Sequence, residues 1–192
     1  MTTDQNLLKP ILSVAAATLL ILAIPFTAMQ FTGEVDWTLS DFVIMGIILF
    51  SCGMGYKLIT RTANETFYRI AIAYGIFTGF LLLWVNAAVG LIGSEDNMFN
   101  LLYLAVLAVG AIGGAFYKFA PRGMSYTFVA MASVQAILGI TALLAGMQHV
   151  PHSSVIEIIG VNGFFITLFL IAAIMFHHVA NDREKTTLQQ NG

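Results

Sequence analysis

The chain has 192 residues, of which 58% are hydrophobic and only 9% charged, with a formal net charge of −2. A soluble domain carries about 25% charged residues, so that class is excluded. No basic, aromatic-interleaved patch points to a nucleic-acid partner, and the single cysteine, Cys52, excludes an internal disulfide or a thiolate zinc cluster.

A hydrocarbon layer of about 30 Å is crossed by roughly 20 helical residues. Uninterrupted apolar stretches predict helices over Pro10–Phe31, Asp41–Thr60, Phe67–Gly93, Met98–Phe119, Met124–Met147 and Ser154–Ala180. Peptide groups in lipid must pair within their own segment, and the alternation of a β-barrel is absent. The expected fold class is therefore all-α, a six-transmembrane-helix bundle forming one domain over residues 1–192. Lys9 followed by an apolar run resembles a secretory signal. The run is too long for one, however, and residues 25–30 (PFTAMQ) lack a small-x-small cleavage site. A retained anchor is expected, with Pro25 kinking its outer end.

Orientation follows from where the cations fall. Lys9, Lys57, Arg61, Arg69, Lys118, Arg122, Arg183 and Lys185 occupy the N-terminal tail, the second and fourth connections and the C-terminal tail. With six crossings, all of these regions share one side. Basic residues mark the cytoplasmic side, which predicts both termini inside. Glu34, Asp36, Asp41, Glu95, Asp96 and Glu157 then form an acidic outer rim together with Asn97, and Trp37 and Trp84 lie near the same boundary.

Helical spacing selects the packed faces. On the third helix Ala71, Gly75, Gly79, Leu82, Asn86, Gly90 and Gly93 share one arc. Asp96, Asn100, Tyr103, Leu107, Gly110 and Gly114 do so on the fourth, and Phe128, Met131, Gln135, Gly139, Ala142 and Gly146 on the fifth. Small residues at this spacing let helices approach closely in lipid. Asn86, Asn100 and Gln135 ride on these stripes, and a carboxamide turned to hydrocarbon would leave costly unpaired groups. Asn86 and Asn162 are expected about eight residues from their outer helix ends, at matched depth. A polar cluster of Asn86, Asn100, Gln135 and Asn162 in the outer half is the candidate ligand site, with interhelical bracing as its structural alternative. The Val85-Asn86 and Val161-Asn162 pairs are too slight an echo to indicate duplication.

Other polar groups have simpler uses. Ser94-Glu95-Asp96-Asn97 offers oxygen ligands suited to a hard cation, yet Ser94 or Asp96 also suits the start of the fourth helix. Thr38-x-x-Asp41 and Ser154-x-x-Glu157 have the pattern of helix-capping boxes. His149 and His152 are weak metal-ligand candidates without a third partner, so a solvated turn is expected and no metal is assigned. His177 and His178 suit the dipole at the cytoplasmic end of the last helix. No histidine lies at the depth an axial haem ligand needs, and no cofactor is expected. Gly53-Met54-Gly55 reads as packing.

Residues 31–42 (FTGEVDWTLSDF) and 84–103 (WVNAAVGLIGSEDNMFNLLY) resemble a widespread group of uncharacterised bacterial inner-membrane proteins. The likeness extends to Pro121-Arg122-Gly123-Met124 and to residues 160–165 (GVNGFF). It implies a bacterial inner membrane and no particular reaction. Members of that group often lack paired outer histidines, which weakens the metal reading of His149 and His152 further.

No Asp, Glu, Lys or Arg lies near the middle of a predicted helix, which argues against a proton-driven transporter. No Gly-x-Ser-x-Gly, His-Glu-x-x-His, phosphate loop or intramembrane aspartate pair is present. The expected function is non-enzymatic, an accessory or assembly protein of the inner membrane with an acidic extracytoplasmic face. Its partners would be the lipid bilayer and a membrane protein or second copy. The alternative is a small channel or carrier for a cation or neutral solute, with cations drawn to the outer face and the amide cluster lining a path.

Overall fold

A computed structural model of the chain describes residues 3–33 and 35–190. Its elements are α1 (Thr3–Phe31), α2 (Leu39–Ile59), α3 (Thr66–Ala88), α4 (Leu104–Phe116), α5 (Pro121–Leu144) and α6 (Val155–Gln190). Short 3-10 turns at Met98–Tyr103 and Met147–His149 precede α4 and α6, and there is no strand among the described residues. Counting the first 3-10 turn as part of the fourth span, six helical segments are long and apolar enough to cross a bilayer. The protein is an all-α, multi-pass membrane protein. Its contacts divide it into two compact units, Met1–Thr62 and Ala63–Gly192.

In the first unit α1 and α2 run antiparallel. Leu22 lies against Gly46, and an ideal Cβ on Gly53 would come within 2.7 Å of Val14 Cγ1. Phe26 meets Phe42 edge-on at 6.3 Å. This register brings Lys9 to the same end as Lys57 and Arg61. Of the two glycines at 53 and 55, Gly53 makes the close approach, while Gly55 faces open space. At the far end Thr38 and Asp41 form the full capping box, with Asp41 Oδ2 accepting from the Thr38 N–H at 2.7 Å. The α1 helix continues through Pro25.

The second unit is built around α5 and α6, the pair with the most extensive contact; α3 packs on α6 and α4 on α5. The fifth-helix stripe Phe128, Met131, Gln135, Gly139 and Ala142 is buried throughout. Its aromatic partner lies on α6: Phe128 stacks on Phe176 at 5.5 Å with an interplanar angle of 11°. Close approaches fall where glycines allow them. An ideal Cβ on Gly75 of α3 would lie 2.5 Å from Phe128 Cζ, and one on Gly110 of α4 would lie 2.9 Å from Met131 Sδ.

Phe128 is fixed by its stack on Phe176, so Gly75→Ala is expected to destabilise the protein by about 1–3 kcal/mol through overpacking. Gly160 has nothing within 4 Å of its Cβ position, so Gly160→Ala serves as the control. Unfolding in mixed micelles should separate the two, and equal midpoints would refute the tight approach.

Of the boundaries that differ from the sequence expectation, three have an evident cause. The third helix ends at Ala88, not Gly93, because Gly90 and Gly93 adopt φ of 76° and 69°. The fifth begins three residues early because Pro121 occupies the first turn, where its missing N–H costs nothing. The sixth continues past Ala180 to Gln190. No glycine or proline interrupts the polar stretch after Ala180, and ion pairs hold it. Arg183 Nε donates to Glu65 at 2.9 Å, and Arg122 Nη2 lies 2.9 Å from Glu184 Oε2. Tyr68 OH donates to the Phe119 carbonyl at 2.8 Å, tying α3 to the left-handed Lys118-Phe119 turn between α4 and α5.

These links gather Arg69, Lys118, Arg122, Arg183 and Lys185 at one end of the unit. At the other end, Gly93 lies against the Pro151 carbonyl. The two loops there carry Glu95, Asp96, His149 and His152, and Glu157 opens α6.

Candidate functional site: buried amides beneath the acidic end

Two residues of the loop after α3 turn inward: Leu91 is 5% exposed and Ile92 0%. Buried peptide groups must find partners, and no helix or sheet supplies them here. Asn100 does. Its Oδ1 accepts from the backbone N–H groups of Leu91 at 3.0 Å and Ile92 at 2.9 Å. Its Nδ2 donates to the carbonyls of Ile92 at 3.3 Å and Ser94 at 2.8 Å. The carboxamide thus uses both lone pairs and both hydrogens on the loop backbone. Gly90 is required beside it, since an ideal Cβ there would lie 2.6 Å from Asn100 Nδ2.

Asn86 joins from the last turn of α3, its Nδ2 donating to the Asn100 backbone carbonyl at 3.1 Å. Its Oδ1 is buried without a protein partner. The expected depth of Asn86 is corrected by the early end of α3. It lies two residues from the helix terminus, whereas Asn162 lies seven residues into α6.

One turn beyond Asn100 lies a second, deeper group. Tyr103 OH donates to Asn162 Oδ1 at 3.1 Å, and Gln135 Nε2 donates to the same oxygen at 3.1 Å. Asn162 Nδ2 donates back to the Ile158 carbonyl at 2.8 Å. All three side chains are buried: Tyr103 at 1%, Gln135 at 0% and Asn162 at 4% exposure. Gly139 makes room for the hub, because an ideal Cβ there would fall 2.9 Å from Asn162 Cγ. Gln135 Oε1 remains buried and unpartnered. Asn162 also lines a shallow groove of about 220 Å³ between α5 and α6, whose other walls include Ile140, Leu143 and Ile159.

The four predicted amides thus form two bonded groups. Asn86 pairs with Asn100, and Gln135 pairs with Asn162. Tyr103, which the sequence pattern placed on a packing stripe, is the deeper group's second donor. Its signal was available, because a tyrosine on an interhelical face must place its hydroxyl on an acceptor.

The acidic rim is more dispersed. Glu34 lies outside the described residues, Asp36 and Asp41 belong to the first unit, and Glu95, Asp96 and Glu157 are exposed. Neither Ser94 nor Asp96 caps the segment that follows. Asn97 does, accepting from the Phe99 N–H at 3.0 Å. The residue immediately before a helix start is the one whose side-chain oxygen can reach the first free N–H groups, and Asn97 is so placed. Ser94 contributes its backbone carbonyl to Asn97 and Asn100 instead. At α6, Ser154 Oγ accepts from the Glu157 N–H at 3.2 Å, the forward half of the expected box.

Among the described residues no three His, Cys, Asp or Glu side chains gather as a metal set. His149 Nε2 lies 3.2 Å from Gln148 Nε2, and His152 sits at φ 57°; both are exposed. No protein-family model, curated protein or solved structure matches this chain.

Proposed function

We propose that this chain is a non-enzymatic accessory or assembly protein of a bacterial inner membrane, with both termini cytoplasmic and an acidic face outside. One observation carries the reading. Asn100, buried against the loop that carries Glu95 and Asp96, spends its whole side-chain hydrogen-bonding capacity on that loop. A side chain so committed holds a surface in shape and has nothing left to offer a passing solute. The loop it braces presents Glu95 and Asp96 to solvent, a rigid acidic surface suited to a basic segment of a membrane partner. The side assignment rests on the cations at one end of each unit, and the bacterial inner membrane on the resemblance of residues 31–42 and 84–103.

The decisive experiment compares cross-linked capture of membrane partners by the native chain and by a Glu95→Gln, Asp96→Asn, Glu157→Gln variant. The variant should unfold at the native midpoint, since exposed substitutions change stability by less than about 0.5 kcal/mol. It should recover a defined partner at least fivefold less well. Equal capture would remove the acidic face from the function. Compartment labelling tests orientation with Cys52 replaced by serine and single cysteines at Arg61 or Glu95. The two should be modified from opposite sides, and modification from the same side would overturn the topology.

A second reading, a small channel or carrier, draws on the unpartnered oxygens of Asn86 and Gln135, which are acceptors suited to water or a cation. It requires solute flux in liposomes that Asn86→Leu or Gln135→Leu abolishes.

A further inference from the structure

Where α6 leaves the apolar span at the basic end, it stands beside the start of α3, and an open cleft of about 600 Å³ lies between them. That volume falls within the range of about 300–1,000 Å³ typical of small-ligand sites. The lining is graded. Phe67 and Val179 form its apolar part, and Asp182, Arg183 and Thr187 continue it along the polar extension of α6. At 1.5 Å per residue, a span starting at Val155 crosses about 30 Å of hydrocarbon by about residue 175–180. The cleft therefore sits at the level of lipid headgroups.

Its charges are held but not exhausted. Arg183 Nε donates to both Glu65 oxygens, at 2.9 and 3.1 Å, and the guanidinium lies 4.8 Å from the Tyr68 ring centroid. The ion pair and the ring fix its orientation. The two terminal nitrogens have no hydrogen-bond partner among the described residues, which leaves donors in a fork that matches a phosphate. One helix position away, Asp182 Oδ2 lies 3.1 Å from His178 Nε2, its one side-chain partner among the described residues. Its other oxygen is open to a cation. An oriented guanidinium and a carboxylate beside an apolar wall complement a molecule with a phosphate, an ammonium group and hydrocarbon chains.

We infer that this cleft binds the headgroup of an aminophospholipid, its phosphate on the terminal nitrogens of Arg183 and its ammonium on Asp182. The inference is independent of the accessory role, needing only that the basic end lies at a membrane surface.

The test is native mass spectrometry of the full chain in detergent, supplied with equimolar phosphatidylethanolamine, phosphatidylcholine and phosphatidylglycerol. Phosphatidylethanolamine should be retained at least fivefold over the others, because one competitor cannot donate hydrogen bonds and the other carries no cation. Arg183→Gln should lower that retention at least fivefold. Asp182→Asn should erase the preference over phosphatidylcholine. Thr187→Trp, which fills the cleft and leaves the Arg183–Glu65 pair in place, should also lower retention at least fivefold. The unfolding midpoints of the Asp182→Asn and Thr187→Trp variants should stay at the native value. Equal retention of the three lipids, or undiminished retention in the Thr187→Trp variant, would overturn the site. Displacement by an equimolar amount of soluble phosphoethanolamine would do so as well, since the apolar wall would then contribute nothing.

Discussion

Asn100→Leu is expected to destabilise the protein by about 4 kcal/mol, among the largest effects of any single polar substitution in the chain. Leucine has a similar size, so the loss is almost entirely polar. Four hydrogen bonds to the loop disappear together. Each bond made contributes about 0.5–1.5 kcal/mol net, and each buried group left unmade costs about 1–3 kcal/mol. The N–H groups of Leu91 and Ile92 have little access to water, because those residues are 5% and 0% exposed. The loop must either open to hydrate them or keep them unpaired, and opening it carries Ile92 out of the interior. Increased proteolysis between residues 89 and 97, together with a lower unfolding midpoint in mixed micelles, would show this. A midpoint within 1 kcal/mol of native would mean that the loop does not depend on the Asn100 amide. By the same reasoning, Asn100→Leu should lower partner capture through loss of the loop's shape, with the charges of Glu95 and Asp96 left intact.

The six spans were legible in the sequence because apolar length is a local property that any 20-residue window reports. The stripe on α5 was legible for a related reason, since helix periodicity alone put Phe128, Met131, Gln135, Gly139 and Ala142 on one face. The end of α3 was not. Gly90 and Gly93 continue the small-residue arc of that helix, and as packing residues they are indistinguishable from Gly75 and Gly79. What separates them is positive φ, and the cue was the polar Ser94–Asn97 stretch immediately downstream. The length of α6 was missed for the opposite reason. An apolar criterion stops at the membrane boundary, whereas a helix stops only where something breaks it.

Within the candidate site, sequence reasoning identified the amides by cost, since carboxamides on interhelical stripes cannot face lipid. It could not assign partners. The sequence places Asn86 and Asn162 at matched depth within a single cluster, yet the observed hydrogen bonds join Asn86 to Asn100 across 14 positions and Gln135 to Asn162 across 27. The ion pair of Glu65 with Arg183 spans 118 positions and has no local signature at all. Contacts of that range depend on how α3 and α6 pack, a property of the whole bundle that a single sequence does not display.

The deeper group yields the second large effect and separates the two functional readings. Asn162 Oδ1 is shared by Tyr103 OH and Gln135 Nε2. Asn162→Leu therefore strands two buried donors, at about 1–3 kcal/mol each. It also leaves Gln135 with neither end of its amide satisfied, because Oε1 already lacks a partner. A loss of about 3–4 kcal/mol is expected. Adding Gln135→Leu and Tyr103→Phe should recover more than half of it, since removing every member of a buried polar group can be nearly neutral where removing one is not. A combined loss equal to the sum of the single losses would show that the three side chains do not act as a unit. The apolar triple variant then discriminates between functions. If the amides brace an accessory protein, it should fold and capture its partner at the native level. If they line a path, it should fold equally well and conduct nothing, because the acceptors a solute would need are gone while the helices that frame them remain.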